Sequence, residues 1–190
     1  MKRTVIGCLL ATVAIFIWGA VFWMSPLPYS VVGKVSDDAA VGKSLLQLFP
    51  ATGTYFLPGQ YNGPEKCAEL AKAGPIATVY IQREGSEMMP AKMFIEGFVH
   101  ELAVVILIAW LLNKALPGLG GYCARVTFVT VAGLAPGIFA GLGPCIWMFY
   151  PLPFQLVTTI YHVTTWLVAG LVLAAFIKPK AAAPAQATQS

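Results

Sequence analysis

Four apolar stretches constrain this chain more strongly than any other feature. They cover residues 4–24, 93–113, 125–143 and 156–177. A helix needs about 20 mostly apolar residues to cross the roughly 30 Å hydrocarbon core of a bilayer. Because 58% of the 190 residues are hydrophobic and only 11% are charged, the composition is that of a membrane protein. We therefore expect an all-α membrane fold, a four-transmembrane-helix bundle that forms a single domain over residues 1–180.

The basic residues beside these stretches predict the orientation of the bundle. Six of them fall on one side of the membrane, with no acidic residue among them: Lys2, Arg3, Lys114, Arg125, Lys178 and Lys180. Cytoplasmic loops carry such an excess of basic residues, so both termini are expected in the cytoplasm. The net charge of +4 then serves membrane insertion. We accordingly expect the lipid bilayer and other membrane subunits as partners, and no nucleic acid.

Residues 25–92 form a long insertion between the first and second spans, on the outer side of the membrane. Asp37 has the chemistry of an N-cap for a helix that Pro50 stops, and Pro64 starts a second helix. Residues 54–57 and 76–82 are strand-like, because β-branched and aromatic residues dominate them. The insertion is therefore predicted to be a small periplasmic α+β cap of two helices and two paired strands.

The last ten residues have a different composition from the rest of the chain. Residues 181–190 are a low-complexity run of small and polar residues. Such a run lacks the apolar side chains that a packed structure needs. We expect a disordered cytoplasmic tail.

Two of the four cysteines, Cys67 and Cys145, lie on the outer side in this topology. An oxidising compartment permits a disulfide between them, which would tie the cap to the last outer loop. The alternative is two free thiols, because the sequence does not supply the Cα–Cα distance on which a bridge depends.

Glycines recur at a spacing of four in the third span, at Gly133, Gly137 and Gly141. This spacing puts them on one helix face, where a neighbouring backbone can approach closely. We interpret them as a packing seam, filled by another span of the same chain or by a second protomer, and in a four-span protein we expect the former.

Ionisable residues inside the spans mark the candidate site. The second span carries Glu96, His100 and Glu101, and the fourth carries Tyr161 and His162. Charged groups at this depth normally face a protein interior or a water-filled cavity. Counted from the outer helix ends, both histidines lie on the order of 12 Å inside, at 1.5 Å per residue. We expect the second and fourth spans to be neighbours, with Glu96 one turn before His100 and orienting its ring.

Three interpretations of this polar group stay open. It is a hydrogen-bonded cluster that fixes helix packing, or a water-filled pocket for a proton, an ion or a small ligand. The third is a redox site, in which His100 and His162 bind haem b, or the two histidines and a carboxylate bind a metal ion. Two acidic residues beside a haem are unfavourable, which weighs against the third.

Enzyme signatures are missing from the sequence. It contains no Gly-x-Ser-x-Gly, His-Glu-x-x-His or Walker motif. We therefore expect a non-enzymatic accessory, assembly or small-ligand-sensing component with a polar intramembrane site, and a membrane redox protein as the alternative.

Several segments together resemble a family of uncharacterised bacterial four-span inner-membrane proteins. They are the start MKRTVIG, the pair Trp18-Gly19, YFLPG at 55–59, AGPIATVYI at 73–81 and HVTTWLVAGLVLAAFI at 162–177. The resemblance covers most of the chain. It implies a multi-pass protein of the bacterial inner membrane and supplies no activity and no catalytic residue.

Overall fold

A computed structural model describes residues 2–179. The seven α-helices and two strands of this part follow one another as α1 (Lys2–Trp23), α2 (Pro26–Tyr29), α3 (Asp38–Leu48), β1 (Gly53–Leu57), α4 (Pro64–Ala73), β2 (Ala77–Ile81), α5 (Ala91–Ala115), α6 (Tyr122–Trp147) and α7 (Leu152–Phe176). The predicted tail at 181–190 lies outside the described residues.

The helices α1, α5, α6 and α7 form the bundle, and each is long and apolar enough to cross a membrane. The prediction of four such helices is confirmed, although each helix is slightly longer or begins earlier than its apolar stretch. Prolines define several of the boundaries, because a proline lacks the N–H that a helix interior requires. Pro90 and Pro151 are the N-cap residues of α5 and α7.

The packing order of the four helices differs from the prediction. Helix α7 packs between α1 and α6, whereas α5 packs on α1 and more loosely on α6. The expectation that the second and fourth spans are neighbours is wrong, since α5 and α7 form no extensive interface. Small residues on α7 explain its preferred partners. Gly170 lets the backbone of α6 approach so closely that an added Cβ would lie 3.0 Å from the carbonyl oxygen of Val126.

The tightest apolar core occupies the half of the bundle nearer the two chain termini. Its fully buried residues include Ala11, Val105, Leu112 and Leu173, one or two from each of α1, α5 and α7. Val129 of α6 completes this layer. The half nearer the insertion is packed less tightly, and the candidate site lies there.

The insertion contains the two helices and two paired strands that the sequence predicts, together with the short helix α2. Strands β1 and β2 are antiparallel, with Gly53 opposite Ile81 and Leu57 opposite Ala77. The Asp37 carboxylate caps α3 by accepting hydrogen bonds from the two backbone N–H groups of residues 39 and 40. The cap prediction of two helices and two paired strands is thus confirmed at the level of its elements.

Arg83 links the end of β2 to the end of α3 within the insertion. It follows β2, and its guanidinium donates to the carbonyl oxygen of Leu46, at 2.9 Å, and to that of Phe49, at the end of α3. A cation is favourable at a helix C-terminus, where carbonyl groups lack partners. Beyond α2, the insertion meets the bundle through a hydrogen bond of 2.7 Å between the hydroxyls of Tyr80 and Tyr150, the latter in the α6–α7 loop.

Candidate functional site

A cavity of about 430 Å³ lies between the four long helices, in the half of the bundle nearer the insertion. Every long helix contributes to its wall, and the lining residues are Ile15, His100, Glu101, Val104, Gly133, Pro136, Gly137, Ala140, Tyr161, His162, Thr165 and Trp166. The cavity occupies the space that α5 and α7 leave between them by not packing side by side. We call it the four-helix cavity.

Four of the five predicted site residues line this cavity. His100 and Glu101 come from α5, and Tyr161 and His162 come from α7. Although α5 and α7 are not neighbours, their polar residues reach the same space, because they lie at the same depth. Counting residues from the helix starts predicts this common depth.

Glu96 is the predicted site residue that the cavity does not include. It lies on the outer surface of α5 and forms an ion pair of 3.6 Å with Lys92, the two side chains being 66% and 80% exposed. Glu96 and His100 share a face of α5, as their spacing of four predicts. That face turns outward, however, whereas Glu101 lies about 100° further round the helix and faces inward. The structure shows no hydrogen bond between Glu96 and His100, so the predicted orientation of the His100 ring by Glu96 is wrong.

His100 lies at the rim of the cavity. Besides the cavity itself, it lines a groove on the outer surface together with Pro90, Lys92, Met93, Glu96 and Gly97. This groove opens on the side of the bundle that carries the insertion. His100 is therefore the residue that connects the cavity to the end of α5 nearer the insertion.

The glycines of α6 fix the α7 side of the cavity. The ring of His162 lies against Gly137, where an added Cβ would lie 3.1 Å from the His162 Cβ and 3.2 Å from its Cγ. At Gly133 an added Cβ would overlap the indole of Trp166. At Gly141 an added Cβ would lie 3.4 Å from the Thr159 hydroxyl oxygen. The three glycines thus all face α7 of the same chain, and two of them hold cavity-lining rings in place.

Two side-chain oxygens of cavity-lining residues are closed to solvent and have no hydrogen-bond partner. They are Oε2 of Glu101 and Oγ1 of Thr165. The threonine is only 6% exposed. Its neighbours on α7 behave differently: Thr158 and Thr159 donate to carbonyl oxygens one turn earlier, at 2.9 and 2.8 Å. Because buried polar groups are nearly always hydrogen-bonded, these two orphan oxygens are the most unusual feature of the site.

Thr165 and Trp166 are the site residues that sequence reasoning missed. A signal for Thr165 was present, since it follows Tyr161 by four residues and His162 by three, which puts all three on one face of α7. The role of Trp166 could not be found in this way. It depends on Gly133 of the facing helix, and so on which helices are neighbours.

A metal centre of three protein ligands is not formed. Within residues 2–179, no three His, Cys, Asp or Glu side chains lie close enough together to hold a metal ion. The disulfide that the sequence left open is not formed either. Cys67 and Cys145 are free thiols, and the Cys67 thiol donates to the carbonyl oxygen of Gly59 at 3.1 Å.

Comparison with protein-family models, with curated proteins and with solved structures finds no match to this chain.

Proposed function

We propose that this chain is a non-enzymatic, small-ligand-sensing or accessory protein of the bacterial inner membrane, which binds a small polar ligand in the four-helix cavity. In this proposal both termini are cytoplasmic and the insertion is periplasmic, as the basic residues near the helix ends indicate. The four apolar helices support the multi-pass arrangement.

The observation that carries the proposal is the pair of orphan oxygens on Glu101 and Thr165. A buried polar atom without a partner costs about 1–3 kcal/mol, so a site that contains two of them is stabilised by whatever bonds to both. The volume suits a ligand, since small-molecule pockets typically measure about 300–1,000 Å³. The cavity of about 430 Å³ lies in that range.

The position of His100 supports a route to this cavity from the outer side. His100 lines both the cavity and the outer groove. A ligand that enters along α5 passes this imidazole before it reaches Glu101.

Thiol labelling tests whether the cavity admits a polar molecule. In a chain freed of its four native cysteines, Thr165→Cys is exposed to a small water-soluble thiosulfonate, which reacts with the thiolate. The matched control is Ala169→Cys, one turn further along α7 and fully buried in the apolar core. We expect residue 165 to react and residue 169 to stay unmodified. Equal lack of reaction at both positions would contradict the proposal.

A haem b protein is the second candidate, and one observation favours it: His100 and His162 line the same cavity. Two observations weigh against it. The carboxyl of Glu101 shares that cavity, and His162 lies close against Gly137 of the facing helix. An absorption spectrum of the purified protein, oxidised and dithionite-reduced, separates the two candidates. A Soret band that His100→Ala and His162→Ala both abolish would establish the haem protein.

A further inference from the structure

The charges around the four-helix cavity have one sign. Glu101 is the only acidic residue in its wall, and none of the twelve lining residues is Lys or Arg. The two ion pairs within residues 2–179 join Lys66 to Glu69 and Lys92 to Glu96, so Glu101 takes part in neither. A carboxylate in an apolar environment is costly unless a cation pairs with it. The cavity therefore provides the negative half of an ion pair.

The orphan atoms of the cavity are suited to accept hydrogen bonds. The carboxylate oxygen of Glu101 accepts only, and the Thr165 hydroxyl accepts through two lone pairs. A neutral imidazole adds one acceptor nitrogen from each of His100 and His162. The imidazoles and hydroxyls of the wall can also donate, whereas the Glu101 carboxylate only accepts, so a ligand that bonds to Glu101 must carry a donor. An ammonium group has three.

The aromatic rings of the wall favour the same ligand. Trp166 and Tyr161 both line the cavity, and Gly133 holds the indole of Trp166 in position. The face of an aromatic ring attracts a cation, most strongly when the ring is that of tryptophan. The remaining wall, including Ile15, Val104 and Pro136, is apolar and suits the hydrocarbon part of an organic molecule.

An inorganic ion fits this wall less well than an organic cation. Calcium takes six to eight oxygen ligands, and magnesium requires a near-octahedral set. The cavity offers oxygen atoms from only three side chains, Glu101, Tyr161 and Thr165. No triad of His, Cys, Asp or Glu in the described part of the chain holds a metal ion.

We propose that the ligand of the four-helix cavity is a small organic ammonium compound, whose cationic group bonds to Glu101 and Thr165 and whose apolar part lies between Ile15, Val104 and Trp166. This proposal rests on the proposed function and names the chemical class of its ligand.

Calorimetric titration of the full-length protein in lipid nanodiscs tests the proposal. The probes are benzylammonium, benzyl alcohol and benzoate, which share one ring and differ in charge. We expect benzylammonium to bind more tightly than the alcohol, and benzoate not to bind. Glu101→Gln should weaken benzylammonium binding by about tenfold or more, because a charge-assisted bond is lost. Thr165→Val keeps the charge of Glu101, and it should weaken benzylammonium binding less than Glu101→Gln does.

Glu65→Gln is the control, since it removes an exposed carboxylate of α4 that lines neither the cavity nor the groove. It should leave the affinity unchanged, and gel filtration verifies that each variant is folded. Equal affinities for benzylammonium and benzyl alcohol, or an unchanged affinity in Glu101→Gln, would overturn the cationic ligand and leave the cavity as a site for neutral molecules. The cationic ligand would also be overturned if benzylammonium does not bind although the Thr165→Cys variant is labelled. Failure of that labelling overturns the proposed function itself.

Discussion

The imidazole of His162 lies against the backbone of Gly137, so close that a side chain at residue 137 would press on it. An added Cβ would lie 3.1 Å from the His162 Cβ, which is closer than ordinary van der Waals contact. Glycine at this position therefore decides where the His162 ring lies. The same relationship, one turn away, positions Trp166 on Gly133.

Alanine substitutions along α6 should show a graded effect. Gly133→Ala should destabilise the protein by about 1–3 kcal/mol, because its Cβ overlaps the Trp166 indole and the core must shift. Gly137→Ala should cost less and displace His162 by a few tenths of an ångström. Gly141→Ala is the matched control, since its Cβ meets only the Thr159 hydroxyl at 3.4 Å. Reversible unfolding in detergent measures all three. Equal stabilities of the three variants would refute the packing argument.

Arg125 should stabilise the end of the bundle that carries the termini. It is only 6% exposed. Its guanidinium donates to the carbonyl oxygens of Ala174, at 3.3 Å, and Gly120, at 3.2 Å. Arg125→Met keeps the length of the side chain but leaves these carbonyls without their donor, so we expect a loss of about 1–3 kcal/mol in the free energy of unfolding.

Lys114→Met provides the control for Arg125. Lys114 is exposed, and its ammonium lies 5.9 Å from the centre of the Trp110 ring. Removing an exposed charge of this kind should change the stability by no more than about 0.5 kcal/mol. If the two variants lose equal stability in the same unfolding assay, the buried hydrogen bonds of Arg125 do not have the role assigned to them.

The contact between α1 and α7 includes a hydrogen bond from the Trp18 indole N–H to the Thr164 hydroxyl, at 3.0 Å. Hydrogen bonds between membrane helices contribute about 0.6 kcal/mol on average. A double-mutant cycle of Trp18→Phe and Thr164→Val should give a coupling energy of this size. A control cycle of Trp18→Phe and Thr158→Val should give no coupling energy, because the Thr158 hydroxyl bonds only within α7. Zero coupling at Thr164 would mean that the bond is not formed in the membrane.

The hydrogen bond between Tyr80 and Tyr150 should make the docking of the insertion depend on pH. This bond is the main cause that raises the pKa of Tyr80 above its ordinary value. A raised pKa means that the contact favours the neutral phenol. Its contribution is thus complete below the ordinary tyrosine pKa and is lost as the pH rises through the raised one. In a ¹³Cζ NMR titration, Tyr80 should ionise at lower pH in Tyr150→Phe than in the wild type. Tyr29→Phe should leave that titration unchanged.

The elements of the fold follow from local signals, and for this reason the sequence predicts them. Apolar length defines the four long helices, Asp37 and Pro64 start the helices of the insertion, and β-branched residues mark β2. The neighbours of each helix follow from side-chain shape across the bundle. The similar depths of His100 and His162 correctly predicted that both residues lie at one level. The further inference that α5 and α7 are adjacent was wrong.

The candidate site illustrates the same limit. His100, Glu101, Tyr161 and His162 could be chosen because ionisable and polar residues are costly inside a membrane. Glu96 met the same criterion, yet its face of α5 turns away from the bundle. Which face of α5 turns inward depends on the contact of α5 with α1 and α6. Because this span is apolar nearly all round, its sequence has no clear periodicity that predicts the inward face.

Filling the four-helix cavity is the most direct test of the claim that it is a binding site. Val104→Phe places a larger side chain in the wall without removing a polar group, and Ala103→Phe places the same side chain on the exposed face of α5 next to it. The measurement is the labelling rate of Thr165→Cys in each background. We predict that Val104→Phe slows the labelling and Ala103→Phe does not. Equal rates in the two backgrounds would contradict the account.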